Sequence, residues 1–202
     1  VITSPDSINW TQTSITTVNP NIIRRIAFAN STFVAGGFGG VGYSGEIYYS
    51  TNGITWNTSS SIAPSDMSGL AYGNGKWVAV CTSVSSPSQF TPITSANNGV
   101  TWSNQSVQTA FGGATDLFFY NGLFILTTTT SKIVTSVDGI TWQLAANLTS
   151  VILPIAITFG NNVYCALGQG GSIAISSNLV NWTLIQSNYT APSPLFAFTY
   201  IT

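Results

Sequence analysis

Short apolar stretches rich in β-branched and aromatic residues recur along the chain, separated by clusters of Asn, Gly, Ser and Thr. No sustained 3.6-residue apolar period is found, so the pattern predicts many short strands joined by turns rather than helices. The clearest pairs place an aromatic on each side of an Asn-centred turn. They read Phe28-Ala29-Asn30-Ser31-Thr32-Phe33, Tyr72-Gly73-Asn74-Gly75-Lys76-Trp77, Phe119-Tyr120-Asn121-Gly122-Leu123-Phe124 and Phe159-Gly160-Asn161-Asn162-Val163-Tyr164. Asn-Gly flanked by apolar residues is a strong hairpin signal, because both central positions of the tightest turn need φ > 0. Each hairpin supplies strands 1 and 2 of a repeating unit.

A second pattern follows each hairpin and also stands at the head of the chain. A β-branched residue (Val1, Ile47, Ile93, Ile133, Ile173) precedes by three positions a turn that ends in Trp. The best copies are Ser50-Thr51-Asn52-Gly53-Ile54-Thr55-Trp56, Ala96-Asn97-Asn98-Gly99-Val100-Thr101-Trp102 and Ser136-Val137-Asp138-Gly139-Ile140-Thr141-Trp142. Two copies lack the Gly: Ser4-Pro5-Asp6-Ser7-Ile8-Asn9-Trp10 and Ser176-Ser177-Asn178-Leu179-Val180-Asn181-Trp182. The five Trp recur at intervals of 46, 46, 40 and 40 residues, the length of a four-stranded propeller blade. The β-branched residue marks strand 3 and the Trp leads into strand 4. The expected fold is therefore all-β: one domain over residues 1–202, a five-bladed β-propeller of four-stranded antiparallel blades.

The box residues Asp6, Asn52, Asn98, Asp138 and Asn178 are expected to accept backbone N–H groups two or three residues on, closing the turn. Trp10, Trp56, Trp102, Trp142 and Trp182 are expected to cover the outer core of each blade. Unit-to-unit differences concentrate between strands 2 and 3, at Gly36 to Gly45 and at Ser83 to Thr91. Insertions at equivalent loops mark one face of a repeat protein, often its binding face. The aromatics there, Phe38, Tyr43 and Phe90, are the candidate ligand contacts.

Counting from the Trp boxes also predicts how the ring closes. Val1-Ile2-Thr3-Ser4 matches strand 3, and Phe196-Ala197-Phe198-Thr199 matches strand 1, as in Ile26-Ala27-Phe28. The closing blade is thus expected to be built from both termini, with no segment left for its strand 2. Val1 in place of Met suggests a processed or trimmed chain.

Composition narrows the chemistry. Of 202 residues, four are Lys or Arg, five are Asp or Glu, and none is His. An ordinary domain is roughly 25% charged; this one is 4%, its polarity coming from 26 Ser, 27 Thr and 17 Asn. Such a chain is poorly equipped for acid/base catalysis, metal binding or phosphate neutralisation. The expectation is a non-enzymatic protein without cofactor or metal, which neither binds nucleic acid nor inserts into a membrane. Cys81 and Cys165 lie in separate apolar runs and are expected to be buried free thiols.

The boxes resemble the Asp-box or BNR repeat, Ser-x-Asp-(x)-Gly-x-Thr-Trp, of sialidases, sortilin-type receptors, photosystem assembly factors and many bacterial and viral repeat proteins. The resemblance covers essentially the whole chain and implies a propeller with the boxes at the blade periphery. It does not carry the sialidase site. That site needs three Arg, a Tyr–Glu nucleophile and an acid Asp, whereas this chain has only Arg24, Arg25 and a single Glu, Glu46. In an extended segment Arg24 and Arg25 point to opposite sides. Asp66 and Asp116, just ahead of strand 1 in consecutive units, are placed to approach a common face, but turn capping is the favoured reading. Near-absence of charge suits a subunit held in an assembly better than a free protein. The expected role is a surface recognition or structural module of a virion, phage fibre or extracellular assembly, located at a virion surface or outside the cell. Its expected partners are assembly proteins or surface glycans, with a homo-oligomer or polymer as one form of assembly. The alternative is a soluble carbohydrate-binding lectin.

Overall fold

The structure, a computed structural model, describes residues 2–12, 22–38, 45–83, 86–149 and 151–185. The chain folds as an all-β propeller in which the repeat units follow one another in sequence. Unit 1 is described by two short paired strands, β1 (Ile2–Thr3) and β2 (Thr11–Gln12). Blade 2 holds β3 (Ile22–Ala29), β4 (Thr32–Phe38), β5 (Gly45–Ser50) and β6 (Asn57–Ala63). Blade 3 holds β7 (Asp66–Gly73), β8 (Lys76–Ser83), β9 (Ser86–Ser95) and β10 (Ser103–Asn104). Blade 4 holds β11 (Ala114–Tyr120), β12 (Leu123–Thr128), β13 (Lys132–Ser136) and β14 (Gln143–Asn147). Blade 5 holds β15 (Pro154–Gly160), β16 (Val163–Gly168), β17 (Ile173–Ser176) and β18 (Thr183–Ile185). Each of these four blades is an antiparallel sheet in chain order. The inner strands β3, β7, β11 and β15 lie side by side in that sequence. The closing blade expected from residues 195–202 lies outside the described residues.

Local chemistry explains both sets of turns. The four hairpins turn on residue pairs with positive φ: Asn30–Ser31, Asn74–Gly75, Asn121–Gly122 and Asn161–Asn162. In the boxes the Asp or Asn oxygen caps the turn from inside. Asp138 Oδ1 accepts the N–H groups of Ile140 and Thr141 at 2.8 and 2.7 Å, while the Ser136 hydroxyl accepts that of Gly139 at 2.8 Å. Asp6, Asn52 and Asn178 repeat the pattern.

The third box departs from the expected register. Its acceptor is Asn97, whose Oδ1 takes the Thr101 N–H at 3.0 Å and the Ser95 hydroxyl. The turn is one residue longer than its counterparts. Asn98 occupies the extra left-handed position, φ 57°, and its side-chain oxygen accepts Asn30 Nδ2 from blade 2 at 2.8 Å. Gly139 shows why Gly is favoured in a box: φ is 72°, and an added Cβ would lie 2.4 Å from Val78 of blade 3. Where Gly is absent, Ser7 and Leu179 are held in the same left-handed region, at 61° and 66°.

The core is a series of inter-blade layers. Val34 and Ile47 of blade 2 pack on Met67, Leu70 and Trp77 of blade 3. Val78 and Phe90 of blade 3 pack on Leu117, Phe124 and Trp142 of blade 4, and Ile125 and Ile133 of blade 4 pack on Ile157 and Tyr164 of blade 5. Polar staples reinforce the layers. Asn74 Nδ2 donates to Gly122 O and Val137 O of the next blade, and the Trp102 N–H donates to Ser61 Oγ of the preceding one. Among the box Trp, Trp102 and Trp142 are buried and Trp56 and Trp182 half-buried. Trp10 is 58% exposed, and no described residue buries it as the other box Trp are buried.

Candidate functional site

In an antiparallel blade the starts of strands 1 and 3 and the ends of strands 2 and 4 share one face of the ring. The end of strand 2 and the start of strand 3 lie there in each blade, and the hairpin and box turns lie on the opposite face. Four of the chain's few charged residues stand on this first face, in the first residues of the inner strands: Arg24 and Arg25 in β3, Asp66 in β7, Asp116 in β11.

A repeated backbone irregularity brings them together. Each inner strand bulges at the same rung, the register shifting between Ile23 and Arg25, Met67 and Gly69, Ala114 and Asp116, and Pro154 and Ala156. The bulged residues are Arg24, Ser68, Thr115 and Ile155. A bulge leaves the extra residue out of the ladder and re-aims the local side chains. Three of the four bulge carbonyls converge on one side chain: Arg25 donates from Nε to Ser68 O at 2.8 Å, from Nη2 to Thr115 O at 3.1 Å and from Nη1 to Arg24 O at 3.3 Å. One guanidinium thereby ties the inner strands of blades 2, 3 and 4.

The expected opposite orientation of Arg24 and Arg25 does not hold, because the bulge breaks the two-residue alternation between them. Arg24 also reaches blade 3, where Nη1 meets Asp66 Oδ2 at 2.8 Å. Its guanidinium lies over the Phe38 ring, 5.4 Å from the centroid.

The two aspartates are strand residues rather than turn caps. Asp116 Oδ2 accepts the N–H of Ile157 in blade 5 at 3.1 Å. Burial pushes the Asp116 carboxyl up to about 6, against the pull of Arg25 and of the Ile157 and Leu117 N–H groups. Burial also raises Asp66, with Arg24 and Arg25 opposing it, and its Oδ1 is buried without a hydrogen-bond partner. The exposed element of the cluster is Arg24, its side chain 47% accessible.

The sequence-derived candidates separate here. Phe38, at the end of β4, is half-buried and supports Arg24. Tyr43 lies outside the described residues. Phe90 is not a loop aromatic: β9 begins at Ser86 and carries it into the sheet, where it is 1% exposed and edge-on to Trp142 at 5.7 Å. It offers no surface to a ligand, because the strand pairing extends further than the Ser- and Pro-rich sequence suggests. Glu46 is buried within blade 2 and hydrogen-bonded by the Tyr48 hydroxyl. Cys81 and Cys165 are both free, and burial pushes the Cys81 thiol up to about 12. No group of three or more His, Cys, Asp or Glu gathers to hold a metal among the described residues. Nor does any described helix have the length and apolarity to cross a membrane. On the opposite face, Ser136, Asp138, Thr141 and Gln143 line an open hollow of about 200 Å³.

No family model matches the chain, and no curated protein is significantly similar to it in sequence. Solved structures do resemble it. YCF48 from Cyanidioschyzon merolae aligns over 91% of this chain and 62% of its own, with a TM-score of 0.62 and 12% identity. A YCF48 bound to D1 peptide aligns over 88% and 57%, with a TM-score of 0.56 and 19% identity. An exo-β-1,3-galactanase from Phanerochaete chrysosporium, holding β-1,3-galactotriose, aligns over 83% and 50%, with a TM-score of 0.56 and 14% identity. The chain spans half to three-fifths of these structures, and at such identities the likeness is one of propeller fold alone.

Proposed function

We propose that this chain is a non-enzymatic recognition propeller built of Asp-box-type repeats, which binds a protein or peptide partner on the face carrying Arg24 and Phe38. The observation that carries the reading is the division of labour in the charged cluster. Arg25 is committed to three main-chain carbonyls and Asp116 to a main-chain N–H, leaving Arg24 as the group turned to solvent, with an aromatic beneath it and a carboxylate behind it. Such a group offers planar, directional hydrogen bonds to a carboxylate or main-chain carbonyl. The peptide complex of a structural neighbour is compatible with this class of partner. The Ser-, Thr- and Asn-rich, nearly uncharged composition fits a module of a virion, phage fibre or extracellular assembly.

The lectin reading draws on the same aromatic, since an aromatic beside a hydrogen-bonding side chain also suits a sugar. Parallel arrays of immobilised peptides and glycans separate the two. The expected result is saturable peptide binding, reduced about tenfold or more by Arg24→Ala, the scale of losing a charge-assisted hydrogen bond, with glycan spots blank. Glycan binding that disappears in Phe38→Ala, with peptide spots blank, replaces the proposal by the lectin reading.

A further inference from the structure

Four Asn-Gly pairs occur in the chain: Asn52-Gly53, Asn74-Gly75, Asn98-Gly99 and Asn121-Gly122. In each, the glycine main-chain nitrogen can close a five-membered ring on the asparagine carboxamide carbon, and glycine brings no side chain to crowd the ring. Sequence alone ranks the four equally; their surroundings set them apart. In the two box pairs the attacking nitrogen is buried and engaged. The Gly53 N–H donates to Ser50 Oγ at 2.9 Å, and the Gly99 N–H donates to Ser95 Oγ at 3.0 Å. Their carboxamides are held as well, Asn52 Oδ1 by the Ile54 and Thr55 N–H groups and Asn98 Oδ1 by Asn30 Nδ2. In the blade 3 hairpin, Asn74 Nδ2 is fastened to Gly122 O and Val137 O at 2.9 and 2.8 Å. In the blade 4 hairpin neither reacting group is held. The Asn121 side chain has no hydrogen bond among the described residues, and Asn121 and Gly122 are both exposed. The ladder closes with Tyr120 opposite Leu123, which leaves the Gly122 N–H outside it, and a Cβ built on Gly122 would meet nothing within 4 Å.

We propose that Asn121–Gly122 is a self-modification site, at which the folded chain converts its own asparagine to aspartyl and isoaspartyl forms with water as the only co-reactant. The Gly122 main-chain nitrogen attacks Asn121 Cγ. A bond forms between them, the Cγ–Nδ2 bond breaks, and the proton lost from the Gly122 nitrogen leaves with Nδ2 as ammonia. Water then opens the cyclic imide at either carbonyl. Opening at Cγ restores the ordinary chain with an aspartyl side chain, whereas opening at the main-chain carbonyl carbon leaves the chain running through Cγ as isoaspartyl. No electrons are exchanged. The position gives the change a structural consequence. Asn121 and Gly122 are the two left-handed residues of a two-residue turn, φ 49° and 79°, and the isoaspartyl main chain is one carbon too long for it. Gly122 O is one of the two acceptors of Asn74, so lengthening the turn also disturbs the staple between blades 3 and 4. Either product adds a carboxylate to a chain with only five Asp or Glu residues. The site lies on the face opposite Arg24 and is independent of the partner proposed there.

The test incubates the full chain in mildly alkaline buffer, folded and in urea, and follows all four pairs by peptide mapping. In the folded chain Asn121 is expected to convert first, about tenfold or more faster than Asn52, Asn74 and Asn98, the scale of breaking the hydrogen bonds that hold those three. In urea, where those bonds are gone, the four rates are expected to converge. Ammonia should appear in equal amount to the sum of aspartyl and isoaspartyl peptides, and Asn121→Ser should abolish the first acidic form seen on ion exchange. Earlier conversion of any other pair in the folded chain, equal rates for the four there, or an intact Asn121 after the unfolded chain has converted would overturn the proposal. Survival of the first acidic form in Asn121→Ser would overturn it as well.

Discussion

The two faces of the ring handle carboxylates in opposite ways. On the box face Asp138 is nearly surrounded by donors. Burial works against its charge, but the Thr141 and Ile140 N–H groups and the Ser136 hydroxyl prevail and hold it at about 2. Asp6 is likewise lowered, first by the Asn9 and Ile8 N–H groups. On the hub face Asp116 and Asp66 are raised, because burial there outweighs what Arg25 and Arg24 return. The difference lies in who supplies the partners. A box turn presents N–H groups from residues two and three positions away, pre-arranged by the turn itself. A hub aspartate depends on groups 41 or 42 residues distant, delivered by other blades.

The largest expected effect tests how firmly the box face is anchored. Trp142→Ala should destabilise by about 3 to 5 kcal/mol, the usual cost of removing a large buried aromatic, since Trp142 packs against Phe90 between blades 3 and 4. A chemical denaturation midpoint unchanged from wild type would show that the box Trp is not core.

Next is the sign of the pH dependence. With its folded pKa near 6 against an ordinary 3.8, Asp116 makes the native state hold more protons than the unfolded chain between those values. Its contribution is therefore favourable at low pH and lost as pH rises from about 4 to 6, by about 3 kcal/mol. Asp116→Asn should flatten that part of the stability–pH profile, measured by urea melts across the range. The lowered Asp138 has the opposite sign: its stabilisation is present above about pH 4 and lost as pH falls toward 2. Asp138→Ala should remove that acid-side slope and cost about 1 kcal/mol at neutral pH, the scale of a lost cap. If both aspartates gave slopes of one sign, the contrast between the faces would fail.

The smallest effect concerns backbone strain. Ser7 holds φ 61° in an exposed box where other copies use Gly. Ser7→Gly should be stabilising or neutral by up to about 1 kcal/mol in thermal melts. A clear destabilisation would mean that the Ser7 side chain contributes more than its conformation costs.

The turns were legible because their determinants are neighbours in sequence: Asn in each hairpin, Ser and Asp or Asn in each box, and, in four of the five boxes, six positions from Ser to Trp. The third box misled by one position, since two consecutive Asn can each fill the acceptor's place in a linear reading and only the hydrogen bonds choose Asn97. Phe90 misled for a related reason: Pro87 and the surrounding Ser read as a loop, while pairing with β8 and the bridge to Gln108 keep the segment in the sheet. At the hub the sequence carried one faint signal, the gathering of scarce charges at the heads of the inner strands. It could not show their convergence.

By itself the sequence determined the repeat, its length, the turn positions and the all-β class, all set by interactions spanning a few residues. The tertiary structure alone decided the common bulge of the inner strands, the three-carbonyl seat of Arg25 and the burial of Phe90. Each of these depends on which surface of another blade lies opposite. That is fixed by packing between residues some 40 to 90 positions apart, which no local pattern encodes.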